Sequence, residues 1–150
     1  MSTLIDFRDR QNEIMQMISD LKVMLQPEYL SVKPNAKAAH EHLCKLGDRV
    51  KQHLAAEDRN VYPTLLIHED PKLKSLAWGF ISGEKPLRKQ FEGFHKRWLK
   101  DCNFEFNEEF LDETRELFRM IEERVEREQN VLLPRLEESG VFASAAVANA

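Results

Sequence analysis

The chain has 150 residues, 42% hydrophobic and 32% charged, with a formal net charge of −4. This length suits a single domain with a full hydrophobic core, and the mild negative charge without any basic block speaks against a nucleic-acid partner. The start, MSTLIDFRDR, carries charges in its first turns and does not read as a signal peptide, and no run of about 18 apolar residues exists to span a membrane.

Ser2 or Thr3 can cap a first helix that stops before Pro27. The stretch PEYLSVKPN, with two prolines and no periodicity, reads as a connection. A second helix is predicted from an Asn35 cap past Glu57 to Pro63, bending there and continuing to Ile67, and HEDP (His68 to Pro71) reads as a turn. The third helix is predicted over Leu73 to Cys102, with a kink at Gly83 and Pro86. Asn107 caps a fourth, with Glu108 and Glu109 facing the positive end of its dipole. That helix runs to about Glu138 and stops at Gly140. Residues 140–150 are expected to be a flexible, Ala-rich tail beyond a domain of residues 1–139. The fold expected is all-α, an antiparallel up-down-up-down four-helix bundle.

Each helix carries an apolar stripe at steps of three and four, and each stripe is interrupted by polar residues. Helix one reads Leu4, Phe7, Gln11, Ile14, Ile18, Leu21, Leu25. Helix two reads Ala39, Leu43, Leu46, Val50, His53, Glu57, Val61. Helix three reads Ala77, Ile81, Glu84, Arg88, Phe91, His95, Trp98, and helix four Phe110, Thr114, Leu117, Ile121, Arg124, Glu128, Val131. A buried ionisable group without a partner costs several kcal/mol, so Gln11, His53, Glu57, His95, Arg124 and Glu128 need a shared solution inside the bundle.

His53 and Glu57 lie about 40° apart around a helix and about 6 Å apart along it, so both can reach one ion. Helical bundles hold iron pairs with inward carboxylates and histidines on their four helices. A weak internal echo aligns HLAAEDRNVYP (His53 to Pro63) with RVEREQNVLLP (Arg124 to Pro134), placing Arg124 where the other half has His53.

On His53-x-x-x-Glu57 with Val61-Tyr62-Pro63, His95, and Glu128 with Leu132-Leu133-Pro134, the chain resembles the hemerythrin-like, or HHE cation-binding, family from about Leu4 to Leu136. The resemblance implies a di-iron site with histidines on all four helices and with carboxylates of helices two and four bridging the irons. It implies His53, Glu57, His95 and Glu128 as ligands, with Glu57 and Glu128 as the bridges. Two places depart, for Gln11 and Arg124 stand where the family has histidines. Glutamine offers a weak amide oxygen, and arginine stays protonated and cannot ligate. The Arg124 guanidinium can instead supply positive charge among the carboxylates, paired with Glu128 or Glu57.

Other candidates read as structural. His40 falls on another face, His42 lies about three turns before His53, and His68 belongs to the turn. Glu84 and Arg88 can pair at i,i+4. Cys44 and Cys102 form no framework and no CxxC pair, which points to a reducing cytoplasm, and neither has a neighbouring base or motif that would argue for a catalytic thiol. No nucleophile motif or phosphate loop appears, and no enzyme is expected.

The function expected is cation binding or sensing at an incomplete non-haem iron site that takes one ion or holds metal weakly. The alternative is a metal-free regulatory or protein-interaction module closed by the Arg124 ion pair. A divalent metal ion is the expected ligand, and a protein partner or homodimer is compatible with either form.

Overall fold

The computed structural model describes residues 4–140, and no strand occurs among them. Helix α1 spans Leu4–Met24, the short α2 Pro27–Leu30, α3 Lys33–Asn60 and α4 Tyr62–Leu66. Helix α5 spans Pro71–Phe94 and continues as a π-helical turn, His95–Leu99. Helix α6 spans Glu108–Arg127, passes into a second π-helical segment, Glu128–Leu132, and ends as α7, Leu133–Ser139. The four long helices α1, α3, α5 and α6 make up a helical bundle, with α1 packed on α3 and α5 on α6.

The chain's punctuation explains most of these boundaries. Asp70 caps α5, its carboxylate accepting the Lys72 N–H at 2.9 Å, and Asn107 caps α6 through the Phe110 N–H at 2.9 Å. Gly140, at φ 75°, closes α7 in the left-handed conformation that glycine adopts without a Cβ clash. Pro63 interrupts the second predicted helix, which divides at Val61 into α3 and α4. Pro134 has no N–H for the carbonyl of Asn130, and the wide π segment lies across that turn, with the Leu133 N–H reaching back to Glu128.

Several expectations need correction. The PEYLSVKPN connection contains the helical turn α2, and α3 starts at Lys33 with Val32 before it, so Asn35 lies inside the helix and does not cap it. Helix α5 runs unbroken through Gly83 and Pro86, and its π turn ends at Leu99, short of Cys102. Ser2, Thr3 and all of the expected tail except Gly140 lie outside the described residues.

The interior has two apolar clusters with a polar layer between them. One gathers Ile14, Ile18, Leu43, Leu46, Val50, Leu54, Leu87, Phe91, Phe94, Leu117 and Ile121; the other gathers Phe7, Val61, Tyr62, Leu65, Ala77, Phe80, Leu132 and Leu136. Full burial of such a side chain contributes about 1.5–3 kcal/mol, so the two clusters hold the helices around whatever lies between them. Between them lie Gln11, His53, Glu57, Glu84 and Glu128, all buried.

The Asn107 cap offers a simple check of this construction. Asn107→Ala is expected to cost about 1 kcal/mol and to lower the thermal midpoint by roughly 2–4 °C. A melt superimposable on that of the parent would show that α6 does not depend on its cap.

Candidate metal centre

Adjacent turns of α3 bring His53 and Glu57 onto one inward face, where they are 3% and 0% exposed. Glu128, 0% exposed, meets them from the first residue of the π segment after α6. His53 Nε2 lies 2.8 Å from Glu128 Oε1 and 3.0 Å from Glu57 Oε1. One donor atom from each of these three residues lies within 4.8 Å of the other two. Gln11 on α1 donates its amide to Glu128 Oε1 at 3.0 Å, and Phe7 sets its ring edge-on to the His53 imidazole, 5.0 Å between centroids.

Arg124 closes the other side. Its Nη2 donates to Glu57 Oε2 at 3.1 Å and to Tyr62 Oη at 2.7 Å, and its Nη1 donates to the Phe80 carbonyl at 3.0 Å. Its Nε lies 3.3 Å from Glu128 Oε2 but out of hydrogen-bond alignment. The Tyr62 hydroxyl in turn donates to Glu57 Oε2. Glu84 of α5 stands 3.7 Å from the guanidinium and 3.5 Å from Arg88, the i,i+4 partner its spacing suggested. Gly83 makes room for this arrangement, because a Cβ there would lie 3.3 Å from Arg124 Nη1.

Electrostatics follow from this crowding. Burial opposes charge on His53, but its hydrogen bond to Glu128 and the close Glu57 carboxylate outweigh it and raise the imidazole to about 9. Burial alone would raise Glu57; the close approach of His53 and Glu128, with the charges of His53 and Arg124, pulls it below the usual carboxylate range. Glu128 moves the other way, raised by burial and by the Glu57 charge. Burial and then the neighbouring Asp58 raise Glu84 to about 7. Tyr62 is pushed up by burial and the Glu57 charge and stays a neutral donor. Arg124 is held protonated by Glu57 despite its own burial.

This family of contacts coincides with a family match. The hemerythrin HHE cation binding domain matches residues 5–136. The chain belongs to that family. Comparison with curated proteins and with solved structures finds no match. As a hemerythrin HHE domain, the chain brings His53, Glu57 and Glu128 together as the sequence anticipated, with Gln11 and Arg124 beside them. His95 is the exception. Its side chain is exposed, in a surface groove with Cys44, Gly47 and Asp48, and it takes no part in the cluster. Helix geometry gives the reason. His95 is eleven residues beyond Glu84, the α5 residue level with the site, which is about 16 Å along the axis.

Tyr62 and Glu84 are the members that sequence reasoning did not assign to the site. Tyr62 stands inside the Val61-Tyr62-Pro63 motif, and its hydroxyl needs a partner once buried, a signal that was available. For Glu84 the signal was its place on the stripe, which was read as serving Arg88 alone.

The three donors are a group that could hold a metal ion. An imidazole and two carboxylates are a donor set suited to a first-row divalent ion, and adjacent donors at bonds of about 2.1 Å around an octahedral ion lie about 3 Å apart. The 2.8 and 3.0 Å separations at His53 Nε2 have that spacing.

Proposed function

We propose that this hemerythrin HHE domain binds a single divalent cation on His53, Glu57 and Glu128, with Arg124 in place of a second ion, and that it acts as a cation-binding or sensing protein rather than an enzyme. One observation carries the reading: two buried carboxylates converge on one imidazole nitrogen, which has a single proton to give. Glu57 Oε1 has no hydrogen bond among the described residues although it faces that nitrogen. A cation satisfies all three donors together, displacing the His53 Nε2 proton as it binds. Iron is the metal that the family favours, and when bound it supplies a Lewis-acidic, redox-active centre. The protein's own residues set the surroundings. Gln11 steadies Glu128, Tyr62 and Arg124 hold Glu57 through its other oxygen, and the apolar clusters exclude water.

The antiparallel up-down-up-down order belongs to the same reading. It is supported by the pairing of Arg8 with Glu137 and of Lys22 with Glu122, which runs α1 against the chain direction of α6 and α7. No helix among the described residues is long and apolar enough to cross a membrane. A cytoplasmic location and a single domain over residues 1–139 complete the proposal.

Equilibrium dialysis against ferrous, manganous and zinc ions tests it, with metal counted per chain. One ion per chain is expected in the parent, and Glu57→Gln, which replaces one anionic donor by a neutral amide, is expected to weaken retention at least about tenfold. Two ions per chain, or equal retention by Glu57→Gln, would refute the site. A second reading, a metal-free interaction module, is favoured by the guanidinium already lodged against Glu57 and Glu128. Retention of no metal at all would select it.

A further inference from the structure

Away from the polar layer, the two cysteines flank one buried histidine. His40 on α3 is 8% exposed, and its Nε2 lies 2.7 Å from the Leu99 carbonyl at the end of the π turn. A carbonyl only accepts, so Nε2 carries the proton, and in the neutral ring Nδ1 is the acceptor. Nδ1 faces Cys44 Sγ, one turn along α3, at 3.9 Å. On the other edge of the same ring Cys102 Sγ lies 3.7 Å from Nε2 and 3.8 Å from the Leu99 carbonyl. Both cysteines are free, Cys102 exposed and Cys44 half-buried. The expectation that neither has a neighbouring base is thereby corrected for Cys44, which faces the unprotonated His40 Nδ1, whereas Cys102 faces the protonated Nε2.

We propose that Cys102 and Cys44 form an oxidative modification site, closed by hydroperoxides into an intramolecular disulfide with His40 as the base. The asymmetry of the two thiols assigns their roles. Cys102 is the more exposed of the two and the sulfur a hydroperoxide reaches first. Cys44 is half-buried at the edge of the groove that holds His95, and burial with the nearby Cys102, Asp48 and Glu41 raises its thiol above the usual range, so it needs a base to act. His40 Nδ1 is that base by position.

The Cys102 thiolate, its proton lost to solvent, attacks the hydroperoxide. An S–O bond forms, the O–O bond breaks, the sulfur gives up two electrons, and the departing alkoxide, or hydroxide from hydrogen peroxide, takes a proton from solvent to leave as alcohol or water. Cys44 then passes its proton to His40 Nδ1 and attacks the Cys102 sulfur. The S–S bond forms, the S–O bond breaks, and the departing hydroxide takes the proton back from His40 as water.

The segment that must move is suited to doing so. Cys102 and Phe104 hold φ of 51° and 57°, left-handed values that side chains with a Cβ seldom adopt. Phe104 meets the His40 ring edge-on at 5.2 Å. Closure requires this segment to carry Cys102 toward Cys44 on α3.

The full-length chain treated with stoichiometric hydrogen peroxide tests the proposal by intact mass and thiol titration. The parent is expected to lose two hydrogens and both thiols while remaining one chain on a non-reducing gel, and to recover both with a reducing thiol. Cys44→Ser is expected to stop at a Cys102 sulfenic acid, trapped by a dimedone probe, and Cys102→Ser to keep its Cys44 thiol under the same exposure. His40→Gln keeps an N–H for the Leu99 carbonyl but removes the base, and closure is expected to slow at least about tenfold. A parent that accumulates the dimedone adduct or sulfinic acid, keeps both thiols, or links two chains overturns the proposal. So does His40→Gln closing at the parent's rate.

Discussion

Arg124→Ala is expected to destabilise the metal-free protein by about 3–5 kcal/mol, the usual cost of breaking a buried ion pair from one side. For a chain of this size that is a fall of roughly 10 °C in thermal midpoint. The arginine side chain is 11% exposed and its carboxylate partners Glu57 and Glu128 are 0% exposed, so water cannot replace it. Removing it leaves Glu57 with the Tyr62 hydroxyl and the His53 ring but without a fixed cation on its Oε2 side, and leaves the Phe80 carbonyl without its side-chain donor. Arg124→His tests the substitution in the other direction, since it restores a His-x-x-x-Glu pair with Glu128. Ferrous iron is then expected to raise the midpoint of Arg124→His more than that of the parent, because a ligand held only by the folded state stabilises it by mass action. Melts of the parent and both variants, with chelator and with iron, measure this. Coincident melts of Arg124→Ala and the parent would mean that the guanidinium contributes nothing to the folded state.

The parts of this site that could be read in the sequence are those set by local helix geometry. His53 and Glu57 are four residues apart on one uninterrupted helix, so their common face follows from the rise and turn alone. On α1 and α3 the stripes as read are the buried faces, with Gln11, Ile14, Ile18, Leu43, Leu46 and Val50 all inward. On α5 the stripe drifted. Steps of three and four from Ala77 permit two tracks, one through Ile81, Arg88 and His95, the other through Phe80, Leu87 and Phe94. Burial follows the second, with Phe80, Leu87 and Phe94 at 1%, 3% and 3% exposed. The tracks share Ala77, Glu84 and Phe91, so periodicity alone could not separate them. On the fourth helix the π segment advances the register. Glu128 is buried as expected, but Leu132 turns inward and Val131, at 44%, turns out. Pro134 marked the place of that shift without giving its size. Contacts that cross the fold had no local signature, which is why Arg124 was foreseen as a pair for Glu57 but its bonds to Tyr62 and the Phe80 carbonyl were not.

The other large effect concerns the approach of α3 to α5 in the apolar cluster beside the site. Phe91→Ala is expected to cost about 3–5 kcal/mol, and Gly47→Ala to destabilise as well, although glycine to alanine within a helix ordinarily gains about 1 kcal/mol. The sign reverses because a Cβ on Gly47 would lie 2.7 Å from Phe91 Cε1 and 2.9 Å from its Cζ. Phe91 is 7% exposed and belongs to the same cluster as Leu43, Leu46, Leu87 and Phe94, so displacing the ring toward the groove it lines with Gly47 gives up that packing. Overpacking of this kind costs about 1–3 kcal/mol. With the ring removed, the added methyl enters the space it left, so the double variant is expected to be more stable than Phe91→Ala alone. The two changes should then fall short of additivity by at least about 1 kcal/mol. Urea melts of the four proteins close this cycle. Strict additivity, or a stabilised Gly47→Ala, would mean that the ring is free to move aside and that glycine at position 47 does not set the distance between the helices carrying Glu57 and Glu84.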